Sequence, residues 1–236
     1  MTTTSQPSAN DTNKLLIPLL PAHATHAARL HIAGQPGTFL TSLGPDVLTI
    51  FYKTLPQSPV GFGYVYPSSN QSNQEGIENT EPIEGFISAT TSVGKLFFEM
   101  GTRRLPQLLP PLLMAFAKKP SLIPHSLQTV LYPLLVSEPQ ADLQPESQQS
   151  KTQSTHVATA ELLSIMVKST ARSQGIGTQL LQQLVADCQV RQITLLDVTV
   201  DANNHGARRF YERHAFVFQR EFTLYGRKMC LYQLKL

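Results

Sequence analysis

The rhythm of hydrophobic and polar positions changes several times along the chain, and each change predicts an element. Leu15–Leu20 is a short apolar run that reads as a strand. Ala22–Ala33 offers Ala24, Ala27, Ala28, Leu30 and His31 for packing as a helix, and Pro36-Gly37 breaks it. Within Thr38–Leu55, Val47, Leu48, Phe51 and Leu55 recur at helical spacing, with an interruption expected near Gly44-Pro45. Gly61–Tyr66 and Ile83–Thr91 read as strands on either side of a polar loop, Pro67–Pro82. Residues 93–136 are rich in Leu, Phe and Pro and predict several short helices. Residues 137–156 are polar and low in complexity and predict a loose surface loop. Val157–Val167 then reads as a strand and Gly177–Arg191 as a helix, with Leu180, Leu181, Leu184, Val185 and Cys188 on one stripe. Ile193–Val200 is a strand and His205–Arg213 a helix. Phe216–Leu224 and Lys228–Leu234 form a terminal strand pair around Tyr225-Gly226. Strands and helices alternate, so the expected class is mixed α/β.

Length turns this pattern into one domain. A chain of 236 residues accommodates a single domain over 14–236 after a polar tail, residues 1–13. Charged residues are only 15% against 41% hydrophobic, which excludes a charge-rich disordered chain. The two cysteines, Cys188 and Cys230, are too few for a disulfide framework or a cysteine zinc site. They read as buried thiols in a reducing compartment, so a cytoplasmic protein is expected. The N-terminus lacks the pattern of a signal peptide. The greasy tract Leu105–Ala117 carries Pro106, Pro110 and Pro111, which argues against a membrane-crossing helix. His23 and His26 share a helix face but have no evident third partner, so no metal is expected.

Charge adds a direction. The net charge is +3, yet residues 157–236 hold ten basic and six acidic side chains. That excess suits a small polyanion rather than nucleic acid, which wants a denser basic stripe. The place for an anion is Arg172-Ser173-Gln174-Gly175-Ile176-Gly177, between an apolar strand and an amphipathic helix. The first amides of a helix have no partner, and its dipole adds partial positive charge there. A dinucleotide fingerprint fails because its sixth position is Leu180, and a phosphate-binding Gly-Lys-Ser/Thr loop is absent.

Arg172-x-x-Gly175-x-Gly177 resembles the acetyl-CoA signature of the GNAT acetyltransferase superfamily. A second family element matches downstream, Asn204-His205-Gly206-Ala207-Arg208-Arg209-Phe210-Tyr211-Glu212-Arg213-His214-Ala215-Phe216, with Ala215 in place of the usual Gly. The resemblance is firm over 157–236, loose over 14–92 and absent over 93–156. It implies the GNAT fold, a mixed, mostly antiparallel sheet with helices on both faces, here carrying a helical insertion over 93–136. It implies acetyl-CoA as co-substrate, with its pyrophosphate on the amides of Gln174, Gly175, Ile176, Gly177 and Thr178. Arg172 would add charge, with Ser173 in the same turn. The pantetheine arm would lie between splayed strands, held by backbone near Met166 and Val167 and touched by Asn204. A free amide there could also stabilise an oxyanion. Tyr211 is the implied general acid and Glu161 the first choice of general base, with Glu84 second. His205 and His214 read as surface or packing residues.

The implied reaction is acetyl transfer to a primary amine. Gln35–Leu40, Leu43-Gly44-Pro45 and Gly85-Phe86-Ile87-Ser88 resemble bacterial GNAT proteins of polysaccharide synthesis, which suggests an amino sugar. A protein amine stays open, and so does a non-catalytic CoA-binding scaffold. Arg103-Arg104 and Lys118-Lys119 flank the greasy tract. They read as solvated ends of a helical insertion or, alternatively, as a membrane-surface contact. The insertion is also a candidate lid over the acceptor.

Overall fold

The computed structural model describes residues 15–68, 82–121 and 158–236. The expected tail 1–13, the loop 137–156 and the part of the insertion from 122 to 136 lie outside the described residues, as does most of the polar loop after Pro67.

Seven strands form one sheet. They are β1 (Ile17–Pro18), β2 (Gly61–Pro67), β3 (Ile83–Thr90), β4 (Thr159–Val167), β5 (Leu195–Asp201), β6 (Val217–Leu224) and β7 (Arg227–Lys235). Their spatial order is β1-β2-β3-β4-β5-β7-β6. Only β4 and β5 run parallel; every other neighbouring pair is antiparallel. The helices are α1 (Ala24–Gly34), α2 (Phe39–Ser42), α3 (Pro45–Thr54), α4 (Val93–Arg103), α5 (Leu105–Lys118), α6 (Ile176–Val190) and α7 (His205–Arg213).

The sheet separates two cores, which explains the helices on both faces. On one side Ala27 and Ala28 of α1 and Leu48, Phe51 and Tyr52 of α3 pack with Phe86 and Met166 of the sheet. On the other, Leu180, Leu181 and Leu184 of α6 and Tyr211 of α7 pack with Ile87, Leu162 and Val198. The alanines of α1 let it lie close on the sheet. Helices α4 and α5 form an outer layer on α3.

Two elements depart from the pattern-based reading. The apolar run Leu15–Leu20 yields only a two-residue strand, because β1 is an edge that pairs solely with Tyr64 and Val65. The greasy tract forms one helix, α5, through Pro110 and Pro111. Each interior proline frees a carbonyl four residues earlier, here on Pro106 and Gln107. Both are exposed, so water can satisfy them. No helix among the described residues is long and apolar enough to cross a membrane.

One irregularity in β4 decides the geometry of the site. Ser88 pairs with Ser164, but Ala89 pairs with Leu162, so Leu163 is an extra residue and β4 bulges. Leu163 and Met166 pack on the α1 side, while Leu162, Ile165 and Val167 pack on the α6 side. The bulge therefore turns Glu161 and Ser164, three apart in sequence, toward the same cavity.

Candidate active site

The parallel pair β4–β5 holds together over only four partners, Thr159↔Leu195 to Leu162↔Val198. Beyond them β4 continues on β3, and β5 continues on β7. The two strands part, and among the described residues the inner edge of β4 from Leu163 to Val167 has no strand beside it. Such an edge is a template for an extended polar chain. The expected backbone contacts near Met166 and Val167 lie on this edge. The Met166 side chain itself is buried against α1, 2.7 Å from where a Cβ on Gly34 would stand.

Where the strands part, a cavity of about 180 Å3 opens on the α1 side. Glu161 and Ser164 of β4 and Thr199 of β5 stand on its wall. Phe39, Leu40, Phe51 and Phe97 come from the helices, and Leu224, Tyr225 and Arg227 from the β6–β7 hairpin. Phe39 and Tyr225 stack with centroids 4.6 Å apart. Asp197 stands in register beside Glu161, and burial raises its carboxyl while the Gln233 amide, 2.8 Å away, draws it back.

The anion turn lies at the other end of β4. Gly175 caps α6 with φ of 78°, in the left-handed region, and Ser173 has φ of 63°. The first bond into the helix runs from the Gln179 amide to the Gly175 carbonyl, 3.0 Å. The amides of Ile176, Gly177 and Thr178 precede it and keep the free donors of a helix start. Arg172, Ser173, Gln174 and Gly175 are exposed. The Arg172 Nε donates to the Val167 carbonyl at 3.3 Å, which ties the turn back to the strand end. These residues fit a pyrophosphate by donor type and by exposure.

The remaining sequence candidates find different settings. Tyr211 is buried against Phe210 and Phe216. Burial pushes its phenol well above the usual range, so it stays protonated at any working pH. It belongs to the α6-side core and does not line the cavity with Glu161. The Asn204 side chain caps α7, accepting from the Ala207 amide at 3.1 Å. His214 bridges the Phe210 carbonyl and the Thr178 hydroxyl, so it packs α7 on the first turn of α6. Glu84 accepts from the Ser68 hydroxyl at 3.4 Å, away from the cavity lining. No group of three metal-binding side chains exists among the described residues.

The sequence reading missed a buried polar cluster. His31 Nδ1 lies 2.6 Å from the Tyr52 hydroxyl, which donates to Ser164 Oγ at 3.1 Å. All three side chains are buried, and His31 and Ser164 reach the cavity wall. Burial pulls the His31 imidazole down to about 4. His31 and Tyr52 sit on helix faces that read as ordinary core positions, and no local pattern links them to a serine on β4.

Residues 143–216, which contain β4, the Gly175 turn and α7, match the model of the acetyltransferase (GNAT) family. This segment is similar to the GNAT acetyltransferases. The solved structures agree on the fold. The chain is similar to Arabidopsis thaliana NAA60 in complex with acetyl-CoA, at 14% identity, TM-score 0.55, covering 94% of this chain and 98% of that one. It is also similar to an N-acetyltransferase from Staphylococcus aureus Mu50, at 13% identity, TM-score 0.52, covering 94% and 97%. No curated protein matches it in sequence.

Proposed function

We propose that the protein is an N-acetyltransferase that moves an acetyl group from acetyl-CoA to a primary amine seated in this cavity. One observation carries the reading. A single strand, β4, links the anion turn at its end to the cavity at Glu161, with its edge unpaired between them. From Leu163 to Val167 that edge runs about 13 Å at strand rise, room for an extended arm between phosphates and acyl group.

The chemistry needs two proton movements. The amine nitrogen bonds to the acetyl carbon, and the carbon–sulfur bond breaks. Glu161 on the cavity wall takes the proton the nitrogen loses. Tyr211, kept protonated by burial, gives one to the departing sulfur. Amide and free thiol result, with no net gain or loss of protons. The amides at the opened strand edge offer the oxyanion a donor. Two buried free thiols, Cys188 and Cys230, suit a reducing cytosol.

The segment that suggested an amino sugar does reach the cavity, through Gln35, Thr38, Phe39 and Leu40. That supports an acceptor-binding role for it, with two polar and two apolar side chains there. Arabidopsis thaliana NAA60 in complex with a bisubstrate analogue has a similar fold, at 14% identity and TM-score 0.54.

The test is thermal unfolding with acetyl-CoA, with NAD and ATP as controls, followed by thiol release with a panel of amines. A ligand that binds the folded state alone raises Tm. Tyr211→Phe and Glu161→Gln should retain the acetyl-CoA effect and lose turnover. Absence of any acetyl-CoA effect sinks the enzyme reading and the CoA-binding scaffold with it. Binding without turnover of any amine leaves the scaffold.

A further inference from the structure

We propose that the acceptor carries its amine on a small apolar body, and that the Ser164 hydroxyl, held by Tyr52 and His31, positions that amine. The inference rests on the cavity being the acceptor site of an N-acetyltransferase.

The wall comes first. Phe39, Phe51, Phe97, Leu224 and Tyr225 surround the space, and its volume is about 180 Å3. Whole small-molecule sites usually measure roughly 300–1,000 Å3. This one seats a body the size of one large side chain within its walls. A sugar ring carries hydroxyls around its edge. Against aromatic walls they would lose water without gaining partners.

Tyr225 is the second observation. It has φ of 52° and Gly226 has φ of 71°, so they form a two-residue hairpin turn with both residues left-handed. Such turns favour Asn, Asp or Gly at the first position. A tyrosine there carries backbone strain, and its ring stacks on Phe39 over the cavity. Strain at a ligand-facing position points to use of the ring.

The polar cluster is the third. Tyr52 has one hydroxyl proton and gives it to Ser164. His31 must then carry its own proton on Nδ1 and donate it to the Tyr52 oxygen, 2.6 Å away. Ser164 Oγ accepts from Tyr52 at 3.1 Å and lies a longer 3.4 Å from His31 Nδ1, a contact weak enough to leave its second lone pair to the cavity. An amine N–H donated to that lone pair leaves the nitrogen lone pair free to attack. The helices α1 and α3 hold the chain rigidly, so Ser164 presents a fixed direction rather than a rotating hydroxyl. Ser164 is a positioning residue, and the β4 bulge puts Glu161 on the same wall for the proton.

The experiment uses the full chain with 2-phenylethylamine and D-glucosamine as probes, read by thiol release from acetyl-CoA. The expected result is higher kcat/KM for 2-phenylethylamine. Ser164→Ala should lower that value about tenfold, the scale of one lost hydrogen bond, mainly by raising KM for the amine. Tyr52→Phe, which keeps the serine but frees it to rotate, should give a smaller loss. In both variants the Tm increase caused by acetyl-CoA should match wild type, which separates positioning from misfolding. Preference for glucosamine, turnover of neither probe, or a Ser164→Ala enzyme with unchanged KM overturns the inference while leaving acetyl-CoA binding intact. A wild-type protein that acetyl-CoA fails to stabilise overturns the underlying reading as well.

Discussion

The Phe39 ring lies face to face with the Tyr225 ring, 4.6 Å between centroids and 24° between planes. The contact joins the segment after α1 to the β6–β7 turn and closes one wall of the cavity. The backbone at Tyr225 is left-handed, so the ring is held there against local preference.

Tyr225→Asn separates these two effects. Asparagine accepts the left-handed conformation, which recovers about 1 kcal/mol of strain. Losing the aromatic pair costs about 0.5–1.5 kcal/mol. Stability by denaturant titration should therefore stay within about 1 kcal/mol of wild type. KM for the amine should rise while acetyl-CoA affinity holds. A large loss of stability would mean that the ring is structural.

The two glycines of the anion turn should respond differently. Gly175 has φ of 78°, so Gly175→Ala is strained by about 1–2 kcal/mol and should reorient the free amides. Calorimetric titration should find acetyl-CoA affinity down by an order of magnitude or so. A Cβ on Gly177 would meet only Phe210 at 3.6 Å and Val167 at 3.9 Å, which are ordinary contacts. Gly177→Ala should fold and bind acetyl-CoA nearly as wild type. Equal damage from both would show that side-chain room, not backbone conformation, governs the turn.

Acid should weaken the fold through His31. In the folded protein burial pulls its imidazole from the ordinary 6.5 down to about 4. Between those values the unfolded chain binds more protons, so stability rises with pH across this window. Taking the pH from 7 down to 4 should remove up to about 3 kcal/mol from this group. His31→Gln should flatten that part of the profile. An unchanged slope in the variant would assign the loss to other groups.

Ala215 occupies a left-handed position, φ of 63°, where α7 ends. The Phe216 amide donates to the Tyr211 carbonyl at 3.1 Å, and the Ala215 amide to that of Glu212 at 3.2 Å, a helix-end turn that favours glycine. Ala215→Gly should stabilise the protein by about 1 kcal/mol, or about 2–4 °C in Tm. A lower Tm would show that the alanine methyl contributes packing that outweighs the strain.

Much of the framework was legible in the chain. Helix α7 spans His205–Arg213 as its pattern predicts, and the break at Gly44-Pro45 falls between α2 and α3. These signals are local: periodicity, and a glycine or proline at a turn. The strand-to-helix turn at Gly175 was legible for the same reason, because a strand, two glycines and a helix start are contiguous. Tyr211 and Glu161 came from resemblance, and their expected cooperation is less direct than motif spacing suggests, since they belong to opposite faces of the sheet.

The sequence by itself determined the elements, their alternation and the anion turn, since each depends on neighbours within one or two turns of helix or strand. Tertiary structure alone decided the cavity. The β4 bulge exists only because Ser88 and Ala89 pair with Ser164 and Leu162 across β3. The opening between β4 and β5 exists because pairing stops after Leu162↔Val198. His31, Tyr52 and Ser164 meet through the packing of α1 and α3 on β4. Contacts between residues far apart in the chain leave no local periodicity, because their geometry is set by how whole elements pack.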